Sequence, residues 1–311
     1  MFSIQRAPSY TTIKELSDPG SPIEYTGIAL AEHTSTLQRW TVLLTGDEDE
    51  MLFIDDQHQS SKSDEFRYHE TFVHSLLCGM KAKKVLVLGG AEGCMLREIL
   101  KWQSVEQVTQ VDWDSSLVNY FKYDGEHWNG GAYKHPKVNY ICAEALGWLR
   151  ASNELYDAIF VDLLDPRETD MVFMKTLLSL CKERLAPGGG LSVNVGQVKL
   201  EETTACSLAT FMKDTFTEPK FHRVALRTHV PSYKGAWGFC MVTPRTWCAL
   251  VQETSLPENM RYFSKERLIH ASTWEDAYPP ELRDFWKHSV AEKLAEDTRE
   301  LERKVFEHNG C

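Results

Sequence analysis

From residue 68 onward two hydrophobic patterns alternate along the chain. Short apolar runs at 85–88, 105–112, 138–142, 158–161 and 191–195 have the length and composition of buried strands. Segments whose apolar residues recur every three or four positions predict helices over 70–78, 95–102, 115–123, 145–152 and 173–185. The run Pro187-Gly188-Gly189-Gly190 predicts a stop after the last of these helices. Such alternation implies a mostly parallel sheet covered on both faces by helices, an α/β architecture. Residues 1–65 read differently, as short strands and turns. Runs at 40–45 and 51–54 flank a polar Gly46–Glu50 loop, which predicts a hairpin. Past residue 210, strands are predicted at 221–228 and 238–243. The tail, 281–308, carries Leu282, Phe285, Trp286, Val290, Leu294, Leu301 and Val305 as the apolar stripe of a helix that covers its own domain. The pattern divides the chain into a β-strand domain at 1–67, a catalytic-type α/β domain at 68–250 and a C-terminal helical segment at 251–311.

Composition narrows the picture modestly. The 311 residues suffice for one large or two smaller cores. A net charge of −11 speaks against a nucleic-acid partner and suits a cationic ligand. The eight cysteines show neither Cys-x-x-Cys nor any metal-type spacing with histidine, so no metal site is expected and reduced thiols are. With no apolar run of about 18 residues and no signal-peptide core, a cytoplasmic protein without membrane contact is expected.

The chemistry is predicted to gather where strands end. The strand at 85–88 runs into Gly89-Gly90-Ala91-Glu92-Gly93 and then a helix, the order that brings backbone close to a nucleotide-like ligand. Asp112 follows Gly89 by 23 residues, the distance at which an acid accepts hydrogen bonds from ribose hydroxyls. Further acids follow the other strands: Asp114, Glu144, Asp162 and Asp165. Carboxylates converging on one sheet edge repel one another unless a cation or a donor-rich ligand binds there. An ordinary alternative exists for each, since Asp at the start of a helix commonly caps it; this applies most to Asp114.

These residues carry a resemblance. Ile54-Asp55-Asp56-Gln57-His58-Gln59 followed by Asp64-Glu65-Phe66-Arg67-Tyr68-His69-Glu70 is similar to the L-D-G-x-x-Q hairpin and DEF-x-Y-(Q/H)-E segment of the spermidine and spermine synthase family. Residues 89–98 resemble that family's GGGDG-x-x-LRE turn, Asp112-Trp113-Asp114 its E-x-D ribose segment, and Asp162 to Pro166 its D-x-x-DP loop. Pro231-Ser232-Tyr233, Arg261-Tyr262-Phe263 and His270-Ala271 resemble later family segments. The resemblance spans roughly residues 25–290. Its DEF-x-Y and D-x-x-DP parts are specific, whereas the glycine turn alone is not.

The resemblance implies a Rossmann-like, methyltransferase-type parallel sheet with a small N-terminal β domain. It also implies transfer of an aminopropyl group from decarboxylated S-adenosylmethionine, used as a co-substrate with no tightly bound cofactor, to a polyamine, putrescine first and spermidine next. A homodimer or homotetramer is implied as well. On this reading Asp162 is the general base, and Tyr68, Asp165 and Tyr233 bind the amine. Gln59, His69, Gly89, Glu92, Asp112 and Glu144 bind the nucleoside co-substrate. Elementary chemistry agrees: a sulfonium leaves readily, and the protein must deliver a neutral amine in line and take its proton. The chain departs from the family pattern at Ala91, Glu92, Asp112 and Glu144, and at Arg167–Asp170, where a Gly-Pro-rich loop is usual. Two other readings share the fold: N-methylation of a small amine by S-adenosylmethionine, and a non-catalytic relative.

Overall fold

The computed structural model describes residues 9–15, 22–163, 165, 167–201, 203–218, 221–246, 250, 255–283 and 285. Five strands, β1 (Ser9–Glu15), β2 (Ile23–Thr34), β3 (Arg39–Thr45), β4 (Glu50–Ile54) and β5 (Gln57–Ser61), form an antiparallel sheet in sequence order. The expected hairpin is β3–β4. Asp55 and Asp56 turn the next one, both at positive φ (48° and 62°), the two-residue geometry that suits the twist of paired strands.

The second sheet has seven strands: β6 (Lys84–Gly89), β7 (Gln107–Asp112), β8 (Val138–Cys142), β9 (Tyr156–Asp162), β10 (Leu185–Gln197), β11 (His222–Val230) and β12 (Gly235–Thr243). Their order is β11-β12-β10-β9-β6-β7-β8. The five strands from β10 to β8 are parallel, and β12 and β11 close one side antiparallel. Period-two alternation sends Val85 and Val87 into one core with Phe72, Phe160 and Phe239, and Leu86 and Leu88 into another with Ile159, Leu191 and Val193. Both faces are therefore buried, as the continuous apolar runs predicted.

Helices α1 (Glu65–Leu77), α2 (Cys94–Leu100), α3 (Ser115–Tyr123), α4 (Glu126–Asn129), α5 (Ala145–Ala151), α6 (Met171–Glu183), α7 (Thr204–Thr215) and α8 (Lys265–Ser272) connect and cover the strands. Two predicted boundaries move. Helix α1 starts at Glu65 rather than 70, because its inner face is polar and invisible to a hydrophobic period: Glu65, His69, Glu70 and His74 are all buried. Each is paired elsewhere; Glu70, for one, accepts the backbone N–H groups of Arg261, Tyr262 and Phe263 at 2.8 Å. The Pro187–Gly190 run does not form a separate stop, since β10 begins at Leu185 and passes through it. Of the predicted tail helix, Leu282 and Phe285 are buried in the second core; residues 286–308 lie outside the described residues.

Candidate active site

Strand order reverses at β6, which has β9 on one side and β7 on the other. Crevices at the carboxyl ends of strands flanking such a point are where open α/β sheets bind ligands. Here lies a cavity of about 520 Å³. Gln59, Tyr68, Gly89, Glu92, Asp112, Glu144, Asp162, Asp165 and Tyr233 all line it. His69 does not: it stands behind the wall, 1% exposed, hydrogen-bonded to Glu92 and packed edgewise on Tyr68.

The glycine turn shapes one end. Gly89 sits at φ 86°, and a Cβ there would collide with the carbonyl of Asp162. The Gly90 N–H donates to that carbonyl at 3.2 Å, so the turn and the end of β9 are joined directly. Gln110 on β7 supports the turn from below, its Nε2 donating to the carbonyls of Gly89 and Gly90. Ala91 is absent from the positive-φ residues, which explains why a methyl is accepted where a third glycine is usual. Asp112, at the end of β7, accepts the Asp114 N–H at 2.9 Å; desolvation, helped by the charges of Asp114 and Glu92, lifts its carboxyl to about 7.

Asp114 and Glu144 are helix caps as well. The Asp114 Oδ1 accepts from Ser116 N and Leu117 N, and its Oδ2 accepts from Gln38 Nε2 at 2.8 Å. Glu144 accepts from Leu146 N and Gly147 N at the start of α5, at 2.8 and 2.6 Å, while remaining exposed on the cavity rim. Capping for Asp114 is what its position before a helix suggested.

The wall that adjoins the turn is assembled from distant segments. The Tyr68 hydroxyl donates to Asp162 Oδ1 at 2.6 Å. Desolvation of the half-buried Asp162, reinforced by the charge of Glu92 and partly offset by His69 and the Tyr68 bond, raises its carboxyl to about 7. Asp165 accepts from Asn194 Nδ2 at 3.1 Å. Its carboxyl is also raised, by the protein packed around it, although the residue remains solvent-exposed; bonds from Asn194 and Trp237 and the Arg167 charge oppose the rise. The Tyr233 hydroxyl donates to the Gln59 carbonyl at 2.5 Å, and its ring packs on Trp237 and edgewise on Tyr68. Leu164 and Pro166 lie outside the described residues.

Behind the turn and this wall, His69 Nδ1 lies 2.9 Å from Glu65 Oε2 and its Nε2 3.0 Å from Glu92 Oε1. Arg97 on α2 reaches the same Glu65 oxygen at 2.9 Å. Burial disfavours charge on His69, but its bonds to Glu65 and Glu92 outweigh that and raise it to about 10. His58, which lines the cavity, goes the other way: desolvation and the Lys234 charge lower it to about 4.

Sequence reasoning missed Gln38, His58, Asn194, Trp237 and Asp170 as lining residues. His58 and Asp170 lie in segments already singled out by the resemblance, whereas Gln38, Asn194 and Trp237 belong to no local pattern; Asn194 and Trp237 face the cavity because β10 and β12 pair next to β9. The arrangement can hold a cationic, amine-bearing ligand among several carboxyl groups, and two of them, Asp112 and Asp162, can take up or release a proton near neutrality.

Comparison with known proteins agrees with this geometry. Residues 65–251 match the spermine/spermidine synthase domain model. The polyamine aminopropyltransferase of Sulfolobus acidocaldarius is 29% identical over 252 residues, covering 80% of this chain and 81% of that protein. That of Saccharolobus solfataricus is 32% identical over 215 residues, covering 68% and 70%. Among solved structures, spermidine synthase from Thermotoga maritima superposes with a TM-score of 0.76 at 18% identity, covering 91% of this chain and 97% of the other. A spermidine synthase in complex with the transition-state analogue AdoDATO gives 0.78, also at 18% identity, over 91% and 98%. At that identity the structural likeness speaks for the fold.

Proposed function

The chain belongs to the spermine/spermidine synthase family, and from that premise we propose that it is a polyamine aminopropyltransferase drawing on decarboxylated S-adenosylmethionine, with putrescine as first acceptor and spermidine as second. The observation that carries the reading is Asp162: a carboxyl titrating near 7, tied to Tyr68 at 2.6 Å, in one cavity with Glu92 and Asp112.

The bound co-substrate supplies a sulfonium leaving group. The protein's part is to orient, neutralise and deprotonate. Asp112 accepts from ribose hydroxyls and Glu144 stands on the nucleoside side. The Glu92 carboxylate attracts the ammonium of the decarboxylated donor and repels the carboxylate of ordinary S-adenosylmethionine, which favours the former. An amine of ordinary pKa near 10 arrives protonated and is not a nucleophile. Asp165 and Tyr233 anchor it, Tyr68 fixes the Asp162 carboxylate, and Asp162 takes the proton from the ammonium; the free amine then attacks the carbon beside sulfur, and the C–S bond breaks to release methylthioadenosine.

An assay supplying decarboxylated or ordinary S-adenosylmethionine to a panel of diamines and triamines tests this, with methylthioadenosine as readout. Release of methylthioadenosine with the decarboxylated donor and putrescine is expected. Methyl transfer from the ordinary donor, or no turnover with any amine, would overturn it.

A further inference from the structure

We propose that His69 is a positioning residue for the transfer, a fixed buried cation that lets Glu92 and Asp162 both be anions in one stretch of cavity wall. The inference rests on the proposed role of Asp162 and deepens it. Hydrogen-bond geometry makes the argument. Each ring nitrogen of His69 meets only acceptors: Nδ1 faces Glu65 Oε2 and the Glu65 carbonyl, both at 2.9 Å, and Nε2 faces Glu92 Oε1 at 3.0 Å. A neutral imidazole has one acceptor nitrogen, which would be set against an oxygen lone pair in a site 1% exposed. Both nitrogens therefore donate and the ring is an imidazolium.

One nitrogen of His69, a Glu92 oxygen and an Asp162 oxygen all lie within 4.8 Å of one another. Two carboxylates so close repel each other, and without a neighbouring cation the base would hold its proton to higher pH. The groups facing Asp162 are Glu92 from the glycine turn, His69 and Tyr68 from α1, Asp165 from its own loop and Tyr233 from the turn before β12. Glu65 and Cys94 also face His69, and Arg97 reaches it through Glu65. Of these, His69 is the cation next to the pair; Arg97 is spent on Glu65, Glu98 and the Trp128 carbonyl.

His69→Gln keeps side-chain volume and removes the charge. The acid-limb midpoint of kcat/KM is expected to move up by at least about one pH unit, given a unit charge at this separation. Glu92→Gln should move it down. The Asp162 carboxyl band, followed by infrared titration of the protein without substrates and assigned by its loss in Asp162→Asn, should shift in the same two directions. A fall in kcat with midpoint and band both unmoved would reduce His69 to packing and overturn the inference. Should His69→Gln fail to fold, the Glu92→Gln shift decides: no downward movement rejects the coupled wall. Because the infrared titration needs no turnover, it judges His69 even if the transfer assay fails.

Discussion

At the ends of β7 and β8, acids are held chiefly by backbone from their own neighbourhood: Glu144 by the amides of Leu146 and Gly147, Asp112 by that of Asp114, and Asp114, behind the cavity lining, by those of Ser116 and Leu117 with one added bond from Gln38. At the end of β9 the holding groups are side chains from far along the chain: Tyr68 for Asp162, 94 residues away, and Asn194 for Asp165, 29 residues away. Backbone amides are fixed by the helix they open and cost little to orient; a hydroxyl from another element stays in place only while both elements stay packed. The first group is thus placed by local backbone. The second depends on packing between remote elements, and small changes in its neighbours change what it can do.

Substituting the two ends should separate these roles. The largest effect is expected at Asp162→Asn, with transfer falling at least about 10²-fold and donor affinity measured calorimetrically unchanged. Equal loss of donor binding would erase the distinction between the ends. Tyr68→Phe leaves the carboxyl but removes its 2.6 Å bond, and kcat should drop about 10- to 100-fold, in line with loss of a charge-assisted hydrogen bond.

A third test uses pH. The Asp162 carboxyl is raised from 3.8 to about 7, so the base form is lost as pH falls through 7, and kcat/KM should decline about tenfold per unit below it. Stability has the opposite sign: a raised acid contributes fully below 3.8 and loses its contribution as pH rises through 7. Asp162→Asn should therefore melt on the order of 5 °C higher than the parent at pH 8 in calorimetry, and near the parent's temperature at pH 4. The smallest effect belongs to the other end. Glu144→Ala removes a cap, costing about 1 kcal/mol of stability in chemical denaturation and raising the donor KM a few-fold with kcat unchanged.

The same contrast governs how far the chain could be read. The parallel strands were legible because residues 85–88 and 158–161 are apolar without break, and the glycine turn because its residues touch one another. Helix α1 was read five residues short, since Glu65 and His69 are buried against Glu92 and Arg97 from other segments, and no periodicity signals that. Gln38, Asn194 and Trp237 went unnoticed for the same reason.

What the sequence determined by itself is the sheet, its glycine turn and the row of acids at strand ends, because backbone preference and hydrophobic alternation act between residues a few positions apart. The tertiary structure alone decided which acid lies beside which partner: that His69 is charged and His58 neutral, and that Asp162 titrates near neutrality. Those properties come from desolvation and from charges a few ångströms away, and distances of that kind exist only once remote segments have packed together.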